Sequence, residues 1–435
     1  MDFFYFFFHK GLDLLSPYGE LGFITTNYYP TATGAKRLRK DLANRTNIRE
    51  LINFNEVKVF ESALGQHNMI SILTKNMSSH ILCRSSICEE SIVANSEKLD
   101  LILHNHDKHT KTVFIEQDNL YDGDEYYIRQ NGVKSDNNNS IGSIVDKMAS
   151  QIYRLGDLAE VNQGVVSGCD TVVARNIEYI PDSSGKIIND GIFVFDLKNS
   201  RDQEVVENFH NGKELLRDFY KNSDISRYYC NIVPTKKLLY YKDALDGEKY
   251  PDVLEHLKLF RPLLEHRLTA YNENYPWTAL HRSRKESIFV GDKIVVPYRT
   301  RYISFAYNNV EWFCRSDVYV ITSKNKSVDL FLLLGILNSK MNFVWLYNRG
   351  KRKGEVLELF QIPLSEIPII SLSEENKLSI SKLAHSITDI KANDKNADTS
   401  QLESQIDRIL YKAYNLSDVE IKIVEDFHAD VKQDE

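Results

Sequence analysis

The stretch between residues 277 and 360 is rich in side chains that could bind a polyanion. It holds 14 Lys and Arg against 7 Asp and Glu, a surplus of +7. Lysine and arginine neutralise phosphate groups and release their counterions, and arginine can also grip a guanine edge with two hydrogen bonds. For any one of these residues the alternative is a solvated charged face. The candidate contacts to DNA are Arg282, Arg284, Arg299, Arg301, Lys340, Lys351, Arg352 and Lys353.

Glycine-flanked loops and a helix end supply further candidates. Gln163 and Ser167 lie on a glycine-bracketed loop that could reach base edges, although the same glycines also suit a tight hairpin. The basic hexapeptide 349–354 is flanked by glycines, which let a backbone approach a phosphate closely. Asn338 could contact the DNA backbone, or it could simply end the apolar helix predicted at 328–337.

Phe60 is an aromatic residue that follows the second strand predicted in the chain. At the rim of a sheet, its ring could stack on an extruded base, a contact worth roughly 1–3 kcal/mol. The alternative is a core phenylalanine between two strands, and the residues alone favour that alternative.

The first 80 residues must position Phe60, and they alternate helix and strand as in an open α/β sheet. We predict helices at 3–15 and 34–45 and strands at 21–26, 48–54 and 68–74. No glycine-rich turn precedes the first helix, so we expect only the second half of such a domain, with an open edge that a partner or a dimer covers.

The basic stretch belongs to a second unit with a different pattern. Residues 81–150 form an extension whose best linker candidate is 134–140, and residues 151–370 mix short strands with helices. Residues 371–435 are predicted to be helical, and they carry a charge deficit of −6. The helices predicted within the second unit lie at 203–220, 253–270 and 328–347. The predicted fold class is therefore α/β plus α+β, with a C-terminal helical region.

Composition excludes several classes of protein. The 435 residues are 42% hydrophobic and 26% charged, as in an ordinary globular protein, and no apolar stretch is long enough to span a bilayer. We interpret the protein as cytoplasmic, without a membrane partner. The five cysteines lack metal-ligand spacing, so no metal site is predicted. The net charge of −7 alone argues against nucleic acid, but its uneven distribution matters more.

Several segments occur in an order that is similar to a known family. They are Tyr5–Leu12 with Gly19–Ile24, Gly34–Arg39, Val59–Phe60 before Ile70–Leu73, Gln163–Gly168, Trp277 with Arg282 and Arg284, Lys293–Pro297, Leu337–Lys340, and Gln361–Pro363 with Ile367–Ile369. Together they resemble the TaqI-type and type IIG adenine-N6 DNA methyltransferases of restriction-modification or phage-defence systems. The resemblance covers most of the chain.

The resemblance implies a partial Rossmann-like methyltransferase sheet in residues 1–80 and a DNA target-recognition domain in residues 151–370. It places Phe60 in a base-flipping pocket. It also implies S-adenosylmethionine as the cofactor of the complete enzyme. The chain lacks both the glycine-containing cofactor loop and the Asn-Pro-Pro-Tyr loop of the family, so we predict no cofactor binding, no catalytic residue and no activity for this chain alone.

Two hypotheses of different classes follow. In the first, the chain recognises double-stranded DNA, and the missing N-terminal methyltransferase half, in the same protein or on a partner subunit, performs methyl transfer. In the second, it is a stand-alone, non-catalytic specificity subunit that docks onto separate modification or nuclease subunits.

Overall fold

The computed structural model describes residues 2–60, 62, 66–75, 81–123, 125–130, 141–181, 185–271, 274–325, 327–353 and 356–433. The linker predicted at 134–140 lies outside these residues. The N-terminal elements are α1 (Phe3–Leu14), β1 (Glu20–Thr26), α2 (Lys36–Arg45), β2 (Asn47–Asn53), β3 (Asn68–Thr74), β4 (Leu82–Cys88), α3 (Ser96–Leu103), β5 (Thr110–Glu116), α4 (Gln117–Leu120), β6 (Tyr121–Asp122) and β7 (Tyr127–Ile128).

These elements build a five-stranded sheet in the order β1-β3-β2-β4-β5. β3 runs antiparallel to both β1 and β2, and β2 runs parallel to β4, so β1, β2 and β4 all point the same way. The three strands predicted from the sequence are confirmed to within one residue. β4 and β5 continue the sheet past residue 80, where the sequence pattern suggested only short pieces. The prediction of a mixed helix-and-sheet fold is confirmed.

Helix α1 is apolar on two opposite faces. One face packs into the core of the sheet, and Gly11 allows this approach because a side chain there would lie 2.9 Å from Leu21. The other face leaves Phe3, Phe7 and Leu14 at 84%, 65% and 74% exposure. The buried residues of α1 are Tyr5, Phe8 and Leu12. A helix that is apolar all round is usually buried, so the exposed face of α1 is unusual.

After residue 140 the elements become shorter and more mixed. They are α5 (Ile141–Ala149), β8 (Tyr153–Arg154), α6 (Leu155–Leu158), β9 (Ala159–Gln163), β10 (Val194–Asp196), α7 (Ser200–Asn208), β11 (Leu216–Tyr220), β12 (Ile225–Ser226), β13 (Tyr229–Cys230), β14 (Lys236–Leu239), α8 (Pro251–Lys258), α9 (Arg261–Tyr271), β15 (Lys293–Pro297), β16 (Arg299–Thr300), β17 (Ala306–Asn308), β18 (Phe313–Cys314) and β19 (Val318–Ser323). The remaining elements are α10 (Leu330–Leu337), α11 (Lys340–Arg349), β20 (Lys351–Lys353), β21 (Val356–Glu358), α12 (Gln361–Ser365), β22 (Pro368–Ile369), α13 (Glu374–Asn393), α14 (Ser400–Ala413) and α15 (Asp418–Gln433).

Two four-stranded sheets organise this second unit, in the orders β10-β14-β11-β18 and β17-β15-β19-β9. The helix predicted at 203–220 is wrong in its second half, because the chain turns at Asn211 and Gly212 and then forms β11. In β11, Leu216 pairs with β14 and Phe219 pairs with both β14 and β18, so tertiary pairing overrides the local pattern.

The C-terminal region is helical, as predicted. α13 and α14 pack against each other and against α10, and α15 packs against α11. The single helix predicted at 328–347 is instead the pair α10 and α11, which meet at 65°. In the described part of the chain no single helix is long and apolar enough to cross a membrane, although this bent pair passes the same test of length and composition.

Candidate nucleic-acid interface

The carboxyl ends of β1 and β2 meet at one rim of the N-terminal sheet. Asn27, just after β1, donates its side-chain amide to Asn53 Oδ1 at 2.8 Å, and Asn53 in turn donates to Gln130 Oε1 at 2.7 Å. Phe60 follows β2 and is 41% exposed, so the structure excludes the core alternative for this residue. An exposed aromatic ring therefore lies in the loop that continues from this rim, and its stacking role stays a prediction.

In the second unit, the loop after β9 is joined to a segment around residue 282. Val166 and Arg282 exchange two backbone hydrogen bonds of 3.0 and 2.8 Å. We call residues 163–168 and 282–285 the recognition platform. Gly164 is required here because a side chain would lie 2.2 Å from the Arg315 carbonyl oxygen.

Arg284 connects the two segments of the platform through side-chain hydrogen bonds. Its guanidinium donates to Gln163 Oε1 at 2.8 Å and to the Gly164 carbonyl oxygen at 3.3 Å. Its backbone has φ +70°, which non-glycine residues rarely adopt and which clusters at functional sites. Burial and the nearby Arg282 both lower the pKa of Arg284. The Gln163 amide also donates to the Ser316 carbonyl oxygen at 2.9 Å, so both ends of Gln163 are engaged within the protein.

Arg282 and Ser167 differ sharply in accessibility. Arg282 is exposed, and among the described residues no hydrogen bond or ion pair involves its side chain. Ser167 is only 4% exposed. Its hydroxyl hydrogen-bonds Asp170 and accepts from the Cys169 N–H, while its carbonyl oxygen accepts from Arg267 at 2.7 Å. Ser167 therefore holds the shape of the loop.

The basic hairpin formed by β20 and β21 carries its own counter-charge. Glu358, whose side chain is 5% exposed, accepts from Arg299 at 2.8 Å and from Lys351 at 2.9 Å. Burial opposes the ionisation of Glu358, but the hydrogen bonds from Lys351 and Arg299 hold its pKa below the usual value. Arg352 stacks on the Tyr347 ring at 3.9 Å. The side chain of Lys353 lies outside the described residues, and Arg301, beyond β16, is exposed.

Asn338 and Lys340 face the interior. Asn338 is fully buried and bonds both backbone groups of Phe305, accepting from its N–H at 3.0 Å and donating to its carbonyl oxygen at 2.8 Å. The Lys340 ammonium pairs with Glu425 and lies 3.8 Å from Asp407, and its backbone N–H donates to Asp407 at 2.9 Å. Burial raises the pKa of Asp407 to about 6, although Lys340 opposes the shift. Asn338 thus ties the end of α10 into the protein, and Lys340 ties in the start of α11.

The sequence did not single out two exposed lysines, Lys285 on the recognition platform and Lys242 beside it. Lys242 and Lys285 lie at a cavity of about 470 Å³. Lys285 is adjacent in sequence to the predicted Arg284, whereas Lys242 lies 42 residues before Arg284 and only the fold brings it near. Among the described residues, no group of three or more His, Cys, Asp or Glu side chains could hold a metal ion.

Comparisons with known proteins relate both units to restriction-modification enzymes. Residues 1–60 match the Eco57I restriction-modification methylase model, and residues 217–369 match the TaqI-like C-terminal specificity domain. The Type II methyltransferase M.HindII of Haemophilus influenzae is 25% identical over 419 residues, which cover 89% of this chain and 71% of that protein. M.MjaIV of Methanocaldococcus jannaschii is 26% identical over 275 residues, covering 60% and 80%.

Among solved structures, the Type IIL restriction-modification enzyme MmeI in complex with DNA has a similar fold. The TM-score is 0.63 at 14% identity, and the match covers all of this chain and 52% of that one. The chain therefore spans about half the length of MmeI. The predicted resemblance to TaqI-like restriction-modification methyltransferases with a C-terminal specificity domain is confirmed by the family models and the relatives.

Proposed function

From the relationship of this chain to TaqI-like restriction-modification methyltransferases with a C-terminal specificity domain, we propose that it recognises a specific sequence in double-stranded DNA. The recognition platform carries this proposal. Arg282 is exposed on a loop pair that Arg284 fixes at the expense of a strained backbone. A rigidly presented guanidinium can bind the O6 and N7 atoms of guanine in the major groove. Arg301, which is exposed, and Arg352 on the β20–β21 hairpin are candidate contacts to phosphates.

The reaction that this recognition would serve is methylation of adenine N6, as in a type IIG enzyme. The sheet with the order β1-β3-β2 is then part of a Rossmann-like domain, in which ligands bind at the carboxyl ends of the parallel strands. Phe60 lies just beyond one such end and is exposed. We infer that its ring stacks on the adenine that the enzyme extrudes from the duplex.

S-adenosylmethionine is the implied cofactor of the complete enzyme, but the loop after β1 does not fit the family's catalytic loop, which holds the target adenine. The loop after β1, residues 27–30, contains the residue types of the family's catalytic loop, Asn, Pro and Tyr, in another order. Tyr29 in this loop is fully buried and hydrogen-bonded to Ser71 at 2.9 Å, and the Asn27 amide is bound to Asn53. None of these groups is open to a ligand, and Asn-Pro-Pro-Tyr does not occur in the 435 residues.

A partner segment of α/β structure would supply those groups. β1 is a terminal strand of its sheet, so its outer edge can pair with a further strand. The exposed face of α1 lies next to β1 in the fold and offers Phe3, Phe7 and Leu14 for burial. These features favour a methyltransferase completed by a docked segment over a stand-alone specificity subunit.

Replacing Phe3 and Phe7 with Ser tests this docking face. We expect the purified chain, without its docked segment, to associate through this face in a concentration-dependent way, because apolar surface drives such contacts. The double variant should lose that association in sedimentation velocity. Its unfolding free energy should change by less than about 0.5 kcal/mol, since both rings are exposed. Phe114→Ser, an exposed residue on β5 at the far edge, is the matched control. Equal association of all three proteins would contradict the docking proposal.

DNA recognition itself is tested with a duplex library that has a randomised centre. We expect the chain to enrich one sequence, and its affinity to fall steeply with salt, with a slope of about −0.9 in log K for each phosphate contacted. Arg282→Ala should relax the preference at one position, at a cost of about 1–3 kcal/mol there. Arg408→Ala removes an equally charged, exposed residue of α14 and should change neither result. An absence of binding at low salt would refute the proposed function.

A further inference from the structure

A cavity of about 470 Å³ opens beside the recognition platform. Three chain segments line it, at residues 215–217, 240–242 and 285–287. The third segment continues directly from the platform, so the cavity and Arg282 belong to one stretch of surface. No candidate contact named from the sequence lies among its lining residues.

Hydrogen bonds tie the cavity wall to the platform. Tyr240 donates its hydroxyl to the Arg284 carbonyl oxygen at 3.1 Å, and Ser283 donates its hydroxyl to the Lys242 carbonyl oxygen at 3.2 Å. The Tyr241 hydroxyl donates to the Thr278 carbonyl oxygen. The wall that carries Lys242 is thus held at a fixed position relative to Arg284, which in turn grips the other half of the platform.

The cavity is positively charged. Lys242 and Lys285 are exposed, and among the described residues no hydrogen bond or ion pair involves either ammonium group. Arg217 is 25% exposed and lies 3.4 Å from Glu286 and 3.6 Å from Glu311. Glu286 is the one carboxylate among the lining residues and is already paired with Arg217. Two lysine charges remain to attract an anion.

We propose that this cavity binds a phosphate group of the DNA backbone, held by Lys242 and Lys285; the inference rests on the proposed function. Lysine ammonium groups are compact donors that suit phosphate and do not provide the planar fork that reads a base edge. Phosphate contacts set the register of a protein on a duplex, whereas base contacts specify the sequence. The cavity fixes the distance along the backbone at which Arg282 meets a base.

The turn at Arg284 separates the residue that would read a base from the residue that would bind a phosphate. Arg282 and Lys285 lie on either side of the residue with φ +70°, so the strained backbone sets the angle between the base-reading and the phosphate-holding side chains. Glu286 limits the affinity of the site, because its carboxylate lies in the same cavity as the bound phosphate. Replacing Glu286 should therefore strengthen DNA binding, whereas replacing the two lysines should weaken it.

The experiment measures the affinity of the full chain for the enriched duplex at five salt concentrations. For Lys242→Gln with Lys285→Gln, we expect the salt slope of log K to become shallower by about 0.9, the share of one phosphate, with the sequence preference unchanged. Glu286→Gln should bind about twofold tighter or better at low salt. The control is Lys382→Gln with Lys395→Gln, which removes the same charge from exposed positions on α13 and in the loop after it.

The outcomes separate this inference from the proposed function. An equal change of slope in both double variants would show a general charge effect and would overturn the phosphate site, as would unchanged or weaker binding by Glu286→Gln. If the wild-type protein binds DNA and the Lys242 and Lys285 double variant keeps the same salt slope, the cavity does not hold a phosphate. DNA recognition by the chain would then still stand. Wild-type protein that does not bind at all refutes the proposed function first.

Discussion

The cations of the second unit fall into two groups that the sequence does not distinguish. Lys340, Arg299 and Lys351 each meet a carboxylate within the protein. Arg282 and Lys285 are exposed on the recognition platform. The difference teaches that the +7 surplus of residues 277–360 overstates their positive surface, because Asp407 of α14 and Glu425 of α15, which lie outside this stretch, neutralise part of it. The predictions below test whether the first group is structural and the second binds DNA.

Asn338→Ala should have the largest effect on stability. The substitution leaves the buried N–H and carbonyl oxygen of Phe305 without their partner, and an unsatisfied buried group costs about 1–3 kcal/mol. We expect the unfolding free energy to fall by about 4 kcal/mol in urea denaturation. The salt slope of DNA binding should stay unchanged in the folded variant. A changed slope with unchanged stability would move Asn338 into the DNA-binding group and break the comparison.

Asp407→Asn sharpens the comparison through pH, with a smaller effect. The pKa of Asp407 is about 6 in the folded protein and 3.8 in the unfolded chain, so folding favours the protonated form. The stability that this group contributes is present below pH 3.8 and is lost as the pH rises through 6. Asn keeps an acceptor for the Lys340 N–H but does not titrate. From pH 4 to 7 we expect the variant to gain about 2 kcal/mol relative to wild type.

Chemical denaturation of both proteins at several pH values measures this gain, and titrating groups common to both cancel in the difference. The Lys340 ammonium keeps Glu425 as its partner in the variant, so its structural ion pair remains. A wild-type and a variant protein with parallel pH profiles would mean that Asp407 titrates normally and that α11 and α14 are held together by other contacts.

Local patterns predicted the N-terminal sheet well. β1, β2 and β3 combine β-branched and aromatic residues with turn residues at their ends, and each was found to within one residue. The pattern could not reveal that β4 joins β2 in parallel, because such a pairing depends on residues far apart in sequence. The helix at 203–220 failed for the same reason: partners from β14 and β18 select the strand at its end.

The candidate site was predictable in part. The glycine-bracketed loop and Arg282 do come together, and Gly164 is needed for close backbone approach. The sequence could not show which partner each charged side chain has in the fold. Lys340 is neutralised by Glu425, eighty-five residues away, and Lys242 is joined to Ser283 of the platform, forty-one residues away. Burial of Ser167 and Asn338 likewise depends on tertiary contacts that no local spacing encodes.

The single carboxylate of Glu358, which binds both Arg299 and Lys351, has an evolutionary consequence. One codon change to Gln would release two positive charges at the hairpin without adding a new basic residue. Under the proposed function, the overall affinity for DNA could thus change by a single step while Arg282 and the strained backbone at Arg284 stay unaltered. Affinity and sequence preference can be selected separately when they depend on different residues, and this hairpin offers a route by which the first changes and the second is kept.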